Sequence, residues 1–142
     1  MTEIKKDYIL FMFGGNATFT ITDNDKHYSY KIYKKKTTDN SKIYYLFLKK
    51  ANKATYCGYF KIVGNKLSFK HSDKNDIERD NVDMNVLLDV IHNRHNLPEN
   101  IKVYHSGRCG CCGRLLTDPD SMARGFGKEC WKKVKEFTKE RS

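Results

Sequence analysis

Hydrophobic and polar residues alternate along most of the first half of the chain, in short runs separated by Gly, Asn and Asp. Alternation with a period of two is typical of strands that bury one face, and turn residues between such runs indicate hairpins. The pattern therefore predicts an antiparallel meander with a polar loop at Thr37–Ser41. Its predicted strands are Tyr8–Phe13, Thr18–Thr22, His27–Tyr33, Ile43–Leu48, Tyr56–Val63 and Leu67–Phe69.

The pattern changes at Asp73, where an acidic segment that extends to Asp89 begins. Apolar residues then recur at helical spacing and predict an amphipathic helix over residues 82–94, packed on the sheet: Val82, Val86, Leu87, Val90 and Ile91. The carboxylates of Asp76–Asp83 suit a first helical turn, because negative charge is stabilised at the positive end of a helix dipole. This acidic segment is either a solvated helix entry or a surface for a positively charged cleft.

The last third combines a short strand, Ile101–Tyr104, with two helical signals. Thr117–Asp120 has a capping residue followed by proline, which is typical of a helix start. Lys128–Arg141 predicts a basic last helix with Trp131, Val134 and Thr138 on one face. The fold class is therefore predicted as α+β: an antiparallel sheet with one packed helix and a C-terminal zinc module made of a knuckle and a helix. We expect residues 1–100 to form the sheet and helix, and residues 101–142 the module, packed together as one domain.

Composition limits the classes of protein that fit. The chain has 142 residues, of which 39% are hydrophobic, so its core is modest and a bound metal would add folding free energy. The sequence has no run of about 18 apolar residues, so it predicts no membrane span, and its charged start is unlike a signal peptide. Clustered cysteines without an export signal favour metal binding in a reducing, cytoplasmic compartment over disulfides.

The formal net charge is +10, and it is unevenly distributed. Residues 1–70 hold 14 Lys and Arg against 5 Asp and Glu, whereas residues 71–100 hold 3 against 7. A basic surface suits nucleic acid, or a protein that is acidic or itself binds nucleic acid; the alternative is that lysines only keep the protein soluble. The candidate binding residues are the basic clusters Lys34, Lys35, Lys36, Lys49, Lys50, Lys132, Lys133 and Lys135.

Tyrosines are interleaved with these lysines, at Tyr30, Tyr33, Tyr44 and Tyr45. Exposed rings beside lysines would form a stacking surface for single-stranded nucleic acid. Alternation favours a different interpretation for most of them, with the tyrosines in the sheet core and the lysines opposite. Cys57 lies among aromatic residues in a predicted strand, and we expect it to be a buried small hydrophobe.

Four of the five cysteines lie in the last third, around a Cys-x-x-Cys-Gly turn. Zn²⁺ prefers four tetrahedral nitrogen or sulfur ligands, and His105-x3-Cys109-x2-Cys112-x17-Cys130 supplies one complete set. Cys111 could replace His105, although adjacent cysteines do not easily face the same ion, and reduced cysteines without metal are the remaining alternative. We predict one structural Zn²⁺, since a closed four-ligand site leaves no free position for substrate.

Two enzyme classes share single features with this sequence. His92 and His95 superficially resemble the pair of a His-Asn-His endonuclease, but they precede the knuckle and lie on a predicted helix. A metal-dependent nuclease that uses them is a distant alternative. The His-x-Glu and Pro-Cys elements of zinc deaminases are absent from the sequence. We therefore expect a non-enzymatic protein with no small-molecule substrate.

The run from Tyr104 to Cys130 resembles the C-terminal signature of a family of short phage and prophage proteins, largely of unknown function. The signature has the form His-x-Gly-x-Cys-x-x-Cys-Gly-Arg-x-Leu-Thr-x-Pro-x-Ser, followed by Gly-x-Gly-Pro-x-Cys. Asn16-Ala-Thr-Phe-Thr-Ile and Tyr28-Ser-Tyr-Lys-Ile also resemble its opening strands. The chain departs from the pattern at Cys111, where cysteine is unusual, and at Lys128, where proline is usual.

The resemblance implies that His105, Cys109, Cys112 and Cys130 are the zinc ligands. Some zinc-bearing phage proteins of this size that resemble the family are anti-CRISPR inhibitors that bind Cas9. The implied function is counter-defence in the host cytoplasm, by binding a Cas effector nuclease and blocking DNA loading or cleavage. The alternative is a basic accessory protein that binds nucleic acid.

Overall fold

A seven-stranded antiparallel sheet forms the framework of the structure, a computed structural model that describes residues 1–36, 42–72, 78 and 81–140, with side chains described through residue 135. The strand order is β1-β7-β2-β3-β4-β5-β6, so that β7 enters the sheet between β1 and β2. The strands are β1 (Thr2–Glu3), β2 (Asn16–Asp23), β3 (Lys26–Lys34), β4 (Lys42–Lys50), β5 (Lys53–Val63), β6 (Lys66–His71) and β7 (Ile101–His105).

The helices are α1 (Tyr8–Met12), α2 (Val82–His92), α3 (Pro119–Arg124) and α4 (Lys128–Glu140). The α+β class is therefore confirmed, and six of the seven strands overlap predicted strands or the predicted Ile101–Tyr104 segment. The Thr37–Ser41 loop, residues 73–77, 79 and 80 of the acidic segment, and the Thr138 side chain lie outside the described residues. None of the described helices is long and apolar enough to cross a membrane.

The prediction of a first strand at Tyr8–Phe13 was wrong, because these residues contain helix α1. Both edges of β2 are already paired, with β3 on one side and β7 on the other, so no hydrogen-bonding edge is left beside it for this segment. The helix instead buries Phe11 and Met12 against the sheet. A short apolar run does not distinguish strand from helix by its periodicity, since both bury apolar side chains.

Helix α2 confirms the helix that the sequence predicts over residues 82–94, and it packs on one face of the sheet. Asn81 caps its N-terminus by accepting a hydrogen bond from the Met84 amide at 3.0 Å. The Tyr30 hydroxyl donates to the carbonyl of Asp83 at 2.6 Å, which ties the helix to β3. The buried stripe differs from the predicted one, since Val82 is 62% exposed. Its buried members are Met84, Leu87, Val90 and Ile91.

The sheet has two unlike faces. The inner face supplies buried side chains such as Phe19, Tyr30 and Leu46, and α1, α2 and the C-terminal module pack against it. The residues that alternate with these, such as Lys31 and Tyr45, lie on the opposite side, which we call the open face. Tyr30 and Tyr44 are buried, as alternation predicted, whereas Tyr33 and Tyr45 are only partly buried on the open face.

Cys57 is fully buried, as predicted, and its thiol donates to the carbonyl of Leu46 at 3.5 Å. Burial raises the pKa of this thiol to about 12, so it stays protonated near neutral pH. It therefore packs as a small hydrophobe with one hydrogen bond, outside the cysteine cluster described below.

Candidate metal centre

The Cys109–Cys112 knuckle is a tight turn held by its own backbone. The Cys109 amide donates to the carbonyl of Arg114 at 2.9 Å, and the Gly113 amide donates back to the carbonyl of Cys109 at 2.9 Å. Gly113 has φ of 78°, in the left-handed region that glycine adopts without a Cβ clash. The sequence Cys-x-x-Cys-Gly therefore folds locally so that two thiols point to the same side.

Two helix boundaries bring the distant Cys130 to this knuckle. The Asp118 side chain caps α3 by accepting from the Ser121 amide at 3.0 Å, and Gly125 ends the helix with φ of 81°. The carbonyl of Gly125 then accepts from the Gly110 amide at 2.9 Å, which joins the end of α3 to the knuckle. Helix α4 begins at Lys128, so Cys130 lies in its first turn beside the other thiols.

The sulfur atoms of Cys109, Cys112 and Cys130 all lie within 4.8 Å of one another. Tetrahedral Zn²⁺ with Zn–S bonds of about 2.3 Å requires sulfurs about 3.8 Å apart, so only small movements separate this arrangement from coordination. The donor set also fits, since soft thiolates are the ligands that favour Zn²⁺. Among the described residues, these three cysteines form the group able to hold a metal ion.

The Cys109 thiol is already surrounded by hydrogen-bond donors. The amides of Gly127, Cys111 and Cys112 lie 3.3, 3.4 and 3.5 Å from its sulfur. Burial disfavours ionisation, but these backbone hydrogen bonds outweigh it, so the pKa of Cys109 lies below its ordinary value. The knuckle therefore stabilises a thiolate, which is the form that binds metal.

The pKa of Cys130 is shifted in the opposite direction from that of Cys109. Burial first, and then hydrogen bonds with the thiols of Cys111, Cys112 and Cys109, raise the pKa of Cys130 above its ordinary range. A cation bound by these sulfurs would act in the opposite direction, because positive charge favours the ionised thiol. Cys111 is thus next to the cluster, although it does not belong to the group of three.

His105 lies outside this group, which differs from the predicted ligand set. It is fully buried at the end of β7, with its ring 5.5 Å from that of Phe11. Its Nδ1 accepts from the Gly107 amide at 3.0 Å, and its Nε2 lies 2.6 Å from the carbonyl of Met122. Both ring nitrogens are therefore occupied by backbone groups, and the imidazole connects the sheet to α3.

The predicted basic clusters do not form one patch. Lys34, Lys35 and Lys36 are exposed at one end of the β3–β4 pair, whereas Lys49 and Lys50 lie at the other end, with Lys50 Nζ 3.6 Å from Asp83. Lys132, Lys133 and Lys135 are exposed on α4, and Lys132 lies 3.7 Å from Glu129. His92 and His95 are exposed near the end of α2, outside the cysteine group.

Sequence reasoning missed a cavity of about 510 Å³ where the sheet, α1, α2 and α4 meet. Its walls are apolar and include Ile9, Phe13, Ile62 and Leu67. Four cationic side chains also line it: Lys34, Lys42, Arg94 and Lys133. Lys34 and Lys133 belong to two of the predicted basic clusters, Lys42 and Arg94 are isolated cations in the sequence, and the fold brings the four together.

Comparison with known proteins finds a similarity in the C-terminal part of the chain. No curated protein and no solved structure is significantly similar to the chain. The matched segment starts in β7, contains the knuckle and α3, and ends within α4, so it contains every cysteine of the cluster. Residues 102–135 are similar to the model of a family of unknown function, DUF6011.

Proposed function

We propose that this chain is a non-enzymatic protein of the host-cell cytoplasm that binds a macromolecule, and that one structural Zn²⁺ holds its C-terminal module together. The ligands would be Cys109, Cys112 and Cys130, with the fourth position taken by Cys111, by His105 after a change of its hydrogen bonds, or by water. When bound, zinc would supply folding free energy rather than a reactive group. The support is the convergence of three thiols in a matched family segment.

The cavity is the observation that carries the binding proposal. It combines apolar walls with the cations Lys34, Lys42, Arg94 and Lys133, and none of the lining residues that the structure describes carries a carboxylate. Such a site suits an apolar side chain flanked by acidic residues on a protein partner, because burial supplies affinity and the charges supply orientation. Cys111, Lys133 and Val134 form one wall, so the zinc module would shape the site.

The specific partner that we propose is a Cas effector nuclease such as Cas9, with the chain acting as a counter-defence inhibitor. The support for this partner is the resemblance to phage proteins carried by the Tyr104–Cys130 run. Binding would block DNA loading or cleavage by steric occlusion. No residue of this chain would need to perform chemistry.

Size-exclusion chromatography with guide-loaded Cas9, followed by a DNA cleavage assay, tests this partner. We expect the chain to co-elute and to slow cleavage, and Lys34→Glu with Lys133→Glu to lose both effects, since charge reversal at the rim would repel an acidic surface. Lys26→Glu with Lys53→Glu is the matched control, because both lysines are exposed and neither lines the cavity. Absence of co-elution would remove Cas9 as the partner, and equal loss in the control would remove the cavity as the site.

Nucleic-acid binding by a basic accessory protein is the second candidate function. Net charge of +10 and the lysines of the open face favour it. Its test is the affinity for DNA across a salt series, where each phosphate contact lowers log K by about 0.9 per unit of log salt. An affinity that does not vary with salt would exclude it.

A further inference from the structure

Aromatic and basic side chains share the open face of the sheet. The pairing register places Tyr33 of β3 opposite Tyr45 of β4, and Tyr45 opposite Tyr59 of β5. The neighbouring set of paired residues on the same face has Lys31 of β3 opposite Phe47 of β4. Phe47 lies in turn opposite Tyr56 of β5. One row of three aromatic rings therefore crosses β3, β4 and β5, and a second row of two rings crosses β4 and β5 beside Lys31 of β3.

A β-bulge at Cys57 makes the second row possible. Tyr56 and Tyr59 are three residues apart, a spacing that would place them on opposite faces of a regular strand. The register shifts between Leu46 and Phe47, so that Gly58 pairs with Leu46 and Tyr56 with Phe47, and Cys57 is the extra residue. Both tyrosines consequently lie on the open face.

The rings of these two rows are partly accessible. Tyr33, Tyr45, Phe47, Tyr56 and Tyr59 are all of intermediate burial, in contrast to the buried rings of the inner face. They also contact one another, with 5.8 Å between the ring centres of Tyr45 and Tyr56 and 5.6 Å between those of Phe47 and Tyr56. Such contacts hold the rings in place and lower the entropy lost when a flat ligand stacks on them.

Cations surround the aromatic rows. Lys31 lies with its Nζ 5.8 Å from the ring centre of Tyr33. By register, Lys49, Lys61, Lys70 and Lys102 also belong to this face. The one carboxylate that the described register places there is Glu3, on β1 at the edge of the sheet beyond β7. The centre of the open face is therefore positively charged.

We infer that the open face binds single-stranded nucleic acid, with bases stacked on the two aromatic rows and phosphates paired with the surrounding lysines. Every base has a flat π-face, so stacking on aromatic side chains is strong and tolerant of sequence, and antiparallel sheets with exposed rings can stack two or three bases in this way. A duplex keeps its bases inside and offers the rings nothing to stack on. This inference rests on the second candidate function above and assigns it a surface and a ligand class.

Fluorescence anisotropy with labelled oligothymidylate and oligouridylate of about 15 nucleotides, and with a duplex of the same length, tests the inference. We expect both single strands to bind at least about tenfold more tightly than the duplex. Tyr45→Leu with Phe47→Leu keeps apolar cover on the sheet but removes stacking, and should weaken single-strand binding about tenfold or more. Circular dichroism melting checks that this variant is folded, and Tyr33→Leu with Tyr59→Leu is the second pair if it is not.

Lys26→Ser with Lys53→Ser is the matched control, because it removes two exposed lysines at turns outside the aromatic rows. We expect it to weaken binding less than about threefold, through charge alone. If the folded ring variants bind as tightly as the parent, nucleic acid binds elsewhere, so this surface is wrong while the second candidate function stands. If no single strand binds at low salt, both fail, and equal affinity for duplex and single strand would overturn the stacking mechanism.

Discussion

The imidazole Nε2 of His105 lies 2.6 Å from the carbonyl oxygen of Met122, across 17 residues of sequence. Because Nδ1 accepts from the Gly107 amide, Nε2 carries the proton and donates to Met122. Helix α3 is thereby fixed to the end of β7, and α3 in turn directs α4 and Cys130 toward the knuckle. His105 thereby helps to position the cysteine-bearing segment, although its ring does not belong to the group of three cysteines.

Replacement of His105 should lower the stability of the fold while leaving metal binding largely intact. His105→Gln should retain zinc, because the thiols remain, but should lower the free energy of unfolding by about 1–3 kcal/mol through loss of buried hydrogen bonds. Cys130→Ser should instead weaken zinc binding strongly, because it removes one of three clustered sulfurs. Chelator competition measures the metal affinity and urea unfolding measures stability. Loss of zinc in His105→Gln equal to that in Cys130→Ser would identify the histidine as a ligand.

The pH dependence of stability should also report on His105. Burial lowers its pKa, an effect that outweighs the hydrogen bond to Met122, so the folded state binds a proton less readily than the unfolded chain. The stability contribution is therefore complete above the unfolded pKa of about 6.5 and is lost as pH falls toward the folded pKa. Unfolding free energy should decline less between neutral pH and pH of about 5 in His105→Gln than in the parent. Identical slopes for the two proteins would contradict this assignment.

The bulge in β5 depends on Gly58. Its φ is 154°, and a Cβ at this position would collide with the carbonyl oxygen of Lys70 and lie 2.7 Å from Cζ of Phe69. Gly58→Ala should destabilise the chain by about 1–3 kcal/mol and should weaken single-strand binding, because the bulge places Tyr56 and Tyr59 on one face. Thermal melting and anisotropy measure the two effects. Gly64→Asn, in an open turn with φ of 60°, is the control and should change neither substantially.

Sheet and metal module should unfold together. The ring centre of Phe11 in α1 lies 5.8 Å from that of Phe126. Phe11 also packs close to Gly110, where an added Cβ would lie 2.7 Å from Cδ2 of the Phe11 ring. Removal of zinc with a chelator should therefore lower the midpoint of a single transition, and Phe11→Ala should destabilise the whole chain by about 3–5 kcal/mol. Two separate calorimetric transitions would show that the module folds independently.

Periodicity was sufficient to predict most of the sheet, since runs such as Thr18–Thr22 and His27–Tyr33 alternate on strands with one covered face. It was also sufficient for α2, whose apolar residues recur every three or four positions, although Val82 lies outside the buried stripe. It was not sufficient for Tyr8–Phe13, whose helical state depends on β7 pairing with β2 from a distance of about 80 residues in the chain. Such non-local pairing leaves no mark in a local pattern.

The candidate site was predictable where the chemistry is local. The Cys109–Cys112 turn and Cys130 converge as their spacing predicted, because the turn and the start of α4 are set by neighbouring residues. The role of His105 was not predictable from spacing, since it depends on the carbonyl of Met122 across the fold. The aromatic rows of the open face were not predictable from alternation either, because the extra residue at Cys57 moves Tyr56 to the face opposite the expected one.

Elemental analysis of the purified, dialysed chain tests the central claim most directly. If Cys109, Cys112 and Cys130 hold a structural metal, the intact chain should contain one zinc per molecule, and Cys112→Ala should contain almost none and melt at a lower temperature. A folded parent chain without stoichiometric zinc, or a Cys112→Ala variant with unchanged zinc content and melting temperature, would contradict the account.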